Sequence, residues 1–366
     1  MFHFFCFIYI HKKNAGMEKT VSVVISPLTT ISSPAFLFWK SLQILFWFIG
    51  IGLLLIMIFL PPLGVTLFWN ILIPVAPALL VIGTGIWRNI CPLATTAMLP
   101  DRLGISQKKK LTSAQQQTLQ LLGMIGLLLI IPLRHVLFNI NGQATALIII
   151  SLSLIAFSSG FIFESRSAWC SGLCPVHPVE KLYGSGVAFS LPNVQCNTCV
   201  KCSVPCPDST KNLTPFALKS TKSQLFEILL VGAFPGYIWG WFQVPDYTAN
   251  FALRNYSSVY AYPILGGVIT LSLYIILKKR FQKNKKVIMS FFAAAAVSCY
   301  YWFRLPQLFG FSNLETNGVL INLTGYLPAW SMNILNMATT AFFLWWMVIA
   351  NKKYRSWSIR PAYAME

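Results

Sequence analysis

Four cysteines between residues 196 and 206 carry the clearest chemistry in the chain. They are Cys196, Cys199, Cys202 and Cys206, in the pattern C-x2-C-x2-C-x3-C, and Pro207 follows them. Thiolates spaced in this way ligate 4Fe–4S clusters, and the cysteine before the proline usually ligates a second cluster. Zinc sites more often use two C-x2-C pairs that lie far apart. The pattern therefore predicts an iron–sulfur cluster, with zinc as the weaker alternative.

Besides Cys6 in the N-terminal tail, on which no function is placed, three further cysteines precede this run: Cys91, Cys170 and Cys174. With Cys206 they form a candidate second metal site. Seven cysteines do not fill the eight positions of two clusters, so either a nearby non-cysteine residue is a ligand or a single cluster forms. The nearby candidates are Asp208 and His177. Another alternative leaves the three cysteines as structural thiols.

Two Cys-Pro pairs, at Cys91 and Cys174, lie in short segments that align with each other. In this alignment Trp87 falls opposite Cys170, and a glycine follows at a similar distance in both segments. Proline removes a backbone donor and suits the first turn of a helix, so each pair is expected to end one helix and begin another. The alignment predicts an internal duplication in which a helical hairpin is followed by a Cys-Pro turn.

Hydrophobic runs of membrane-spanning length surround these cysteines. The chain has 366 residues, of which 56% are hydrophobic and only 10% charged. Runs of about 20 apolar residues are long enough to cross a bilayer. Eight such runs are found: 36–60, 65–86, 119–138, 144–163, 225–244, 260–277, 287–303 and 328–350. The prediction is an all-α polytopic membrane protein with about eight transmembrane helices and a small cytoplasmic ferredoxin-like iron–sulfur segment.

The net charge of +19 comes from 28 Lys and Arg against 9 Asp and Glu. With eight spans, all the basic residues except Arg134, Arg254 and Arg304 fall on the side of the two termini. This asymmetry follows the positive-inside rule. It predicts that both termini and all the cysteine motifs are cytoplasmic, and it favours contact with anionic lipid over nucleic-acid binding. Because the cytosol is reducing, clustered cysteines there indicate metal ligands rather than disulfides.

The predicted organisation has five parts. They are a cytoplasmic tail (1–35), a four-helix membrane domain with the two Cys-Pro turns (36–163), a cytoplasmic iron–sulfur segment (164–224), a C-terminal four-helix membrane domain (225–350) and a cytoplasmic tail (351–366). Residues 1–16 are not assigned a function, because Met17 is a plausible second start.

Two hairpins with Cys-Pro turns, followed by a ferredoxin motif, resemble the membrane-bound 4Fe–4S polyferredoxins. The resemblance covers about residues 40–210. It is to NapH-like quinol dehydrogenase subunits, the C-terminal half of NosR-like proteins and FixG/CcoG-like proteins of oxidase assembly. It implies electron transfer in a bacterial inner (plasma) membrane, between a quinone pool or cytoplasmic donor and another subunit of a respiratory or reductase complex. On this basis the chain is a candidate oxidoreductase subunit of the quinol dehydrogenase type.

The resemblance leaves two other functions open. One is a factor that assembles or reduces metal centres, and the other is a redox-sensing transporter. For quinone chemistry, His177 and Glu180 beside the second Cys-Pro turn are weak candidates for proton exchange. They are weighed against the alternative of interfacial residues solvated by lipid headgroups. Glu227, one turn into the fifth span, is expected to snorkel to the surface.

Overall fold

The computed structural model describes residues 33–164, 166–184, 220–246, 254–311 and 318–350. The run of Cys196–Cys206 lies outside the described residues. Eleven helices are described besides the short 3-10 helix Gln282–Asn284, and five of the eleven contain a π-helical stretch. They are α1 (Ser33–Phe59), α2 (Pro61–Val65, π-helical Thr66–Leu72, Ile73–Ile90), α3 (Pro92–Arg102), α4 (Ser113–Leu133, π-helical Arg134–Phe138), α5 (Gly142–Ile162), α6 (π-helical Trp169–Leu173), α7 (Val176–Tyr183), α8 (Thr221–Glu227, π-helical Ile228–Ala233, Phe234–Trp241), α9 (Arg254–Arg280), α10 (Lys285–Leu308) and α11 (Trp330–Leu344, π-helical Trp345–Ile349).

Seven helices in the described part of the chain are long and apolar enough to cross a membrane. They are Pro34–Phe59, Pro61–Arg102 (counted through the Cys91 turn), Ser113–Phe138, Gly142–Ile162, Ser257–Arg280, Gln282–Leu308 and Trp330–Ile349. Large apolar side chains such as Leu147, Ile276 and Trp330 are exposed on the outside of the bundle. An apolar exterior of this extent suits a lipid environment. The prediction of an all-α polytopic membrane protein is thereby confirmed in outline, with seven of the eight spans.

The fifth predicted span, 225–244, is also helical, as α8, but it is less apolar than the other seven. It runs alongside α4 from end to end. At one end Lys222 donates to the Thr118 hydroxyl at 2.8 Å. At the other end the Trp241 indole donates to the Ile131 carbonyl at 3.0 Å. The two helices therefore cover the same depth of the bundle.

Glu227 explains part of the lower apolarity of α8. Its carboxylate is buried, accepts a hydrogen bond from Tyr274 Oη at 2.5 Å and is ion-paired with Lys278. The expectation that Glu227 snorkels to the surface is wrong, because it is Lys278 of α9 that extends its longer side chain to the carboxylate.

The main hydrophobic core joins the two halves of the chain. Leu80 and Val81 of α2 pack there with Leu182 and Tyr183 of α7. The C-terminal helices complete the cluster with Val231, Tyr274, Met289, Phe292, Ala293, Ala294, Val297, Tyr301, Phe343 and Met347. The first part of the predicted cytoplasmic segment is thus enclosed by the helical bundle.

Room for α7 is created by a kink in α2. Gly83 has non-helical backbone angles, φ −150° and ψ 64°. Gly184, directly after α7, packs against Thr84 and the Leu80 carbonyl of α2. A Cβ added to Gly184 would lie 3.1 Å from the Leu80 carbonyl oxygen. The kink and the glycine together let the end of α7 approach the backbone of α2.

Candidate functional site: a buried thiol cavity

The two Cys-Pro turns have the same backbone conformation. Cys91 ends α2 with φ −56° and ψ 118°, and Cys174 follows α6 with φ −70° and ψ 115°. A residue before proline is driven out of the helical region, which explains both ψ angles. Pro92 then begins α3, and Pro175 is the N-cap of α7. The two turns thus share the conformation that proline imposes, and the internal duplication stays a prediction.

Two glycines hold the Cys-Pro segments against the long helices. The Cα of Gly160 in α5 packs on the carbonyl of Ala97 in α3, and a Cβ there would lie 2.8 Å from the carbonyl carbon. The Cα of Gly123 in α4 packs on the carbonyl of Leu173 in the same way, with a corresponding distance of 2.9 Å. Each close contact positions the helix next to one Cys-Pro turn.

The π-helical α6 is also held by polar side chains of α4. Gln116 and Gln120, both buried, donate their amides to the Ser171 carbonyl at 3.3 and 2.8 Å. A short helix leaves carbonyl groups unsatisfied at its end, and buried carbonyls need donors. These two glutamines satisfy that need and fix the position of Cys170 and Cys174.

The two turns bring three of the predicted site residues together. Cys91, Cys170 and Cys174 line one cavity of about 30 Å³, bordered also by Arg88 and Arg166. All three are free thiols. The cavity has room for about one or two water molecules. A quinone ring is larger than this cavity, so the thiols alone do not form a quinone pocket.

The thiol cavity meets part of what a metal site requires. Among the described residues, no group of three or more His, Cys, Asp or Glu side chains is arranged so as to hold a metal ion. Thiol donors suit iron, copper and zinc, and the adjacent arginines would offset the charge of thiolates. Donor chemistry therefore fits, whereas a complete ligand set is not formed by these residues alone. The predicted fourth ligand, Cys206, lies outside the described residues, so the second metal site stays a prediction.

Protonation of the thiols follows from their burial. Burial raises the pKa of Cys174 to about 12 and raises that of Cys170 well above its usual value. Both are therefore neutral thiols at pH 7. A metal binds thiolate, so its binding there would release protons.

Arg88, His177 and Glu180 form a charged group beside the thiols. The Arg88 guanidinium donates to Glu180 Oε1, and His177 Nδ1 lies 3.6 Å from Glu180 Oε2. Burial alone would raise the pKa of Glu180. Arg88 and His177 outweigh this effect, and the pKa of Glu180 is lowered to about 2. Burial lowers the pKa of His177 to about 4, despite the nearby Glu180 carboxylate. At pH 7 the group contains a carboxylate, a guanidinium and a neutral imidazole.

The alternative that His177 and Glu180 are interfacial residues solvated by lipid headgroups is wrong. Their side chains are only 9% and 6% exposed, so they are not solvated by headgroups. Sequence reasoning also missed the partner, Arg88, which lies 92 residues from Glu180 in the chain. A basic residue three positions before Cys91 and an acid six positions after Cys174 were the only available signal.

The fold and these turns define a class: a polytopic helical protein with a buried three-thiol cavity at the end of the bundle where α4 and α8 begin. No family model matches the chain, and no curated protein or solved structure matches it. The resemblance to the polyferredoxins therefore stays a prediction that depends on the motifs.

Proposed function

We propose that this protein is a membrane-bound electron-transfer protein that carries a 4Fe–4S cluster on Cys196, Cys199, Cys202 and Cys206. The observation that carries the proposal is the spacing of these four cysteines. A cluster of this kind supplies one-electron transfer when bound. Electrons would come from a quinone pool or a cytoplasmic donor and pass to a partner subunit of a respiratory or reductase complex.

The thiol cavity supports this proposal because it lies close in the chain to the cysteine run. The described segment ends at Gly184, and the cysteine run begins about 12 residues later, a distance of at most roughly 40 Å even for an extended chain. A cluster on this run would therefore lie within roughly 40 Å of the end of α7. This limit allows Cys206 to join Cys91, Cys170 and Cys174 in a second centre. The basic residues on this side of the bundle favour its placement at the cytoplasmic face of a bacterial inner membrane.

Iron analysis tests the proposal directly. The full chain, purified without oxygen, is expected to contain about four irons and four sulfides for one cluster, or about eight of each for two. Cys199→Ser should lose most of the iron and the low-temperature EPR signal of the reduced protein. The matched control is Cys299→Ser, because Cys299 lies in α10 and does not line the thiol cavity. Absence of iron from the wild type, or equal iron in both variants, would contradict the proposal.

A second function, assembly or reduction of a metal centre, is favoured by one observation: three thiols share a buried cavity. Thiolates of this kind are good ligands for Cu(I). On this alternative the wild type binds about one Cu(I) in addition to iron, and Cys91→Ser loses the copper but keeps the iron. On the electron-transfer proposal, copper binding is weak in both proteins. Copper and iron quantified on the same samples distinguish the two functions.

A further inference from the structure

A second and larger cavity lies at the opposite end of the bundle from the cysteines. Its volume is about 370 Å³, within the range typical of small-molecule sites. It is formed where α4, α8 and α10 end and where α2 begins. Its lining residues include Trp69, Asn70, Arg134, Asn139, Asp246 and Arg304. None of these residues takes part in the electron-transfer proposal.

The first cation in this cavity is Arg134, which is 7% exposed. Its guanidinium lies between two indole rings, 4.0 Å from the centroid of Trp69 and 4.8 Å from that of Trp241. Its Nε donates to Asn139 Oδ1 at 3.2 Å. Flat aromatic faces on a guanidinium hold it in a fixed orientation.

The second cation is Arg304, which is 5% exposed. Its Nη2 donates to the Trp69 carbonyl at 3.0 Å and to Asn70 Oδ1 at 2.6 Å. Its Nη1 donates to Gln307 Oε1 at 3.0 Å. Gly318, with φ +122°, covers this group, and a Cβ there would lie 3.3 Å from Arg304 Nη1. All these partners are neutral, so they orient the guanidinium without cancelling its charge.

In the described part of the chain, one carboxylate lines the cavity, Asp246, and it is held by His135 and Asn139. Its Oδ1 lies 2.6 Å from His135 Nδ1 and accepts from Asn139 Nδ2 at 3.0 Å. His135 Nε2 in turn faces the Trp241 carbonyl at 2.9 Å. Both ring nitrogens therefore face oxygen atoms, so His135 links Asp246 to the end of α8. Among the residues that the structure describes, the single Asp246 carboxylate faces two arginines, which leaves an excess of positive charge.

The two arginines lie on the side of the bundle that is poor in basic residues. Only three basic residues are predicted on this side of the bundle, and two of them line one cavity. Two permanently charged guanidinium groups in one buried space repel each other unless an anion lies between them. Arginine is also the side chain best suited to phosphate and carboxylate.

We propose that this cavity binds an oxyanion, the phosphate or carboxylate group of a small solute or of a lipid headgroup. Arg134 and Arg304 are the binding residues, and Asn70 and Asn139 orient them. Pro62, Val65 and Ile140 supply an apolar wall for the remainder of the ligand.

The test uses Asn70→Asp, which keeps an acceptor for Arg304 while adding a negative charge to the cavity. The full chain in a neutral detergent is titrated with inorganic phosphate against chloride at constant ionic strength. Tryptophan fluorescence, to which Trp69 and Trp241 beside Arg134 contribute, is recorded together with the thermal midpoint of unfolding. The wild type is expected to bind phosphate and to gain thermal stability from it. Asn70→Asp should bind at least tenfold more weakly, with an unchanged or higher midpoint in chloride.

The control is Lys222→Gln, which removes one positive charge at the other end of the bundle. It should bind phosphate as the wild type does. A parallel arm measures lipid retained by the protein from membranes containing phosphatidylglycerol, using native mass spectrometry. Loss of retained lipid in Asn70→Asp alone identifies a headgroup as the ligand, and phosphate binding without retained lipid identifies a free solute. If neither probe binds, or if Asn70→Asp binds within twofold of the wild type, the proposal is overturned.

Discussion

The Glu180→Gln protein is expected to be about 3–5 kcal/mol less stable than the wild type. Glu180 and Arg88 have side chains only 6% and 4% exposed, so solvent does not screen their interaction. Removing the carboxylate leaves the guanidinium charged and buried, because arginine does not lose its proton. The loss should appear as a large shift in SDS-induced unfolding, measured in mixed micelles by tryptophan fluorescence.

A surface ion pair of the same bundle provides the control. Asp101 and Lys108 are 3.3 Å apart, with side chains 35% and 63% exposed. Asp101→Asn should therefore change stability by less than about 1 kcal/mol. The double variant Arg88→Gln with Glu180→Gln should recover part of the loss, because it removes the buried guanidinium together with the carboxylate. Equal effects of Glu180→Gln and Asp101→Asn would show that the buried pair is not formed.

Gly123→Ala is expected to produce the second large effect, a loss of about 2–3 kcal/mol or more. The added methyl would clash with the Leu173 carbonyl, and this neighbour is backbone rather than a flexible side chain. The clash can be relieved only by moving α6 away from α4. Because Leu173 directly precedes Cys174, the shift should also expose that thiol, and alkylation of Cys174 by a maleimide should become faster.

Gly126 in the same helix is the matched control, because a Cβ there meets nothing within 4 Å. Gly126→Ala should be neutral or stabilising by up to about 1 kcal/mol, the helix-propensity difference between the two residues. Gly160→Ala, which would clash with the Ala97 carbonyl, should resemble Gly123→Ala in stability. If Gly123→Ala and Gly126→Ala unfold alike, α4 and α6 do not make the close contact.

The helices were predictable because hydrophobic length is a local property. All eight predicted spans coincide with described helices, although α8 is less apolar than the rest, since it carries the buried Glu227. The helix break at each Cys-Pro pair was also predictable, because proline restricts its own residue and the one before it. These features need no knowledge of distant contacts.

The burial of α7 was not predictable. The segment Val176–Tyr183 contains His177, Glu180 and Lys181, and so resembles a solvated loop in composition. Its partners Arg88, Leu80 and Tyr301 are about 90 or more residues away in the chain. The convergence of Arg134 and Arg304 has the same cause: the sequence places both on one side of the bundle, but only packing brings them to one cavity.

The position of Tyr183 in the core has a consequence for biosynthesis. Apart from α2, the helices that enclose α7 are translated after it, and at about 5–20 residues per second the ribosome reaches Met347 roughly 10–30 s after Tyr183. During this interval the second Cys-Pro turn has been made but α10 and α11 do not yet cover the core beneath it. The thiols of this turn are most accessible then, so on the proposal of a second metal site the ion would be best delivered during synthesis.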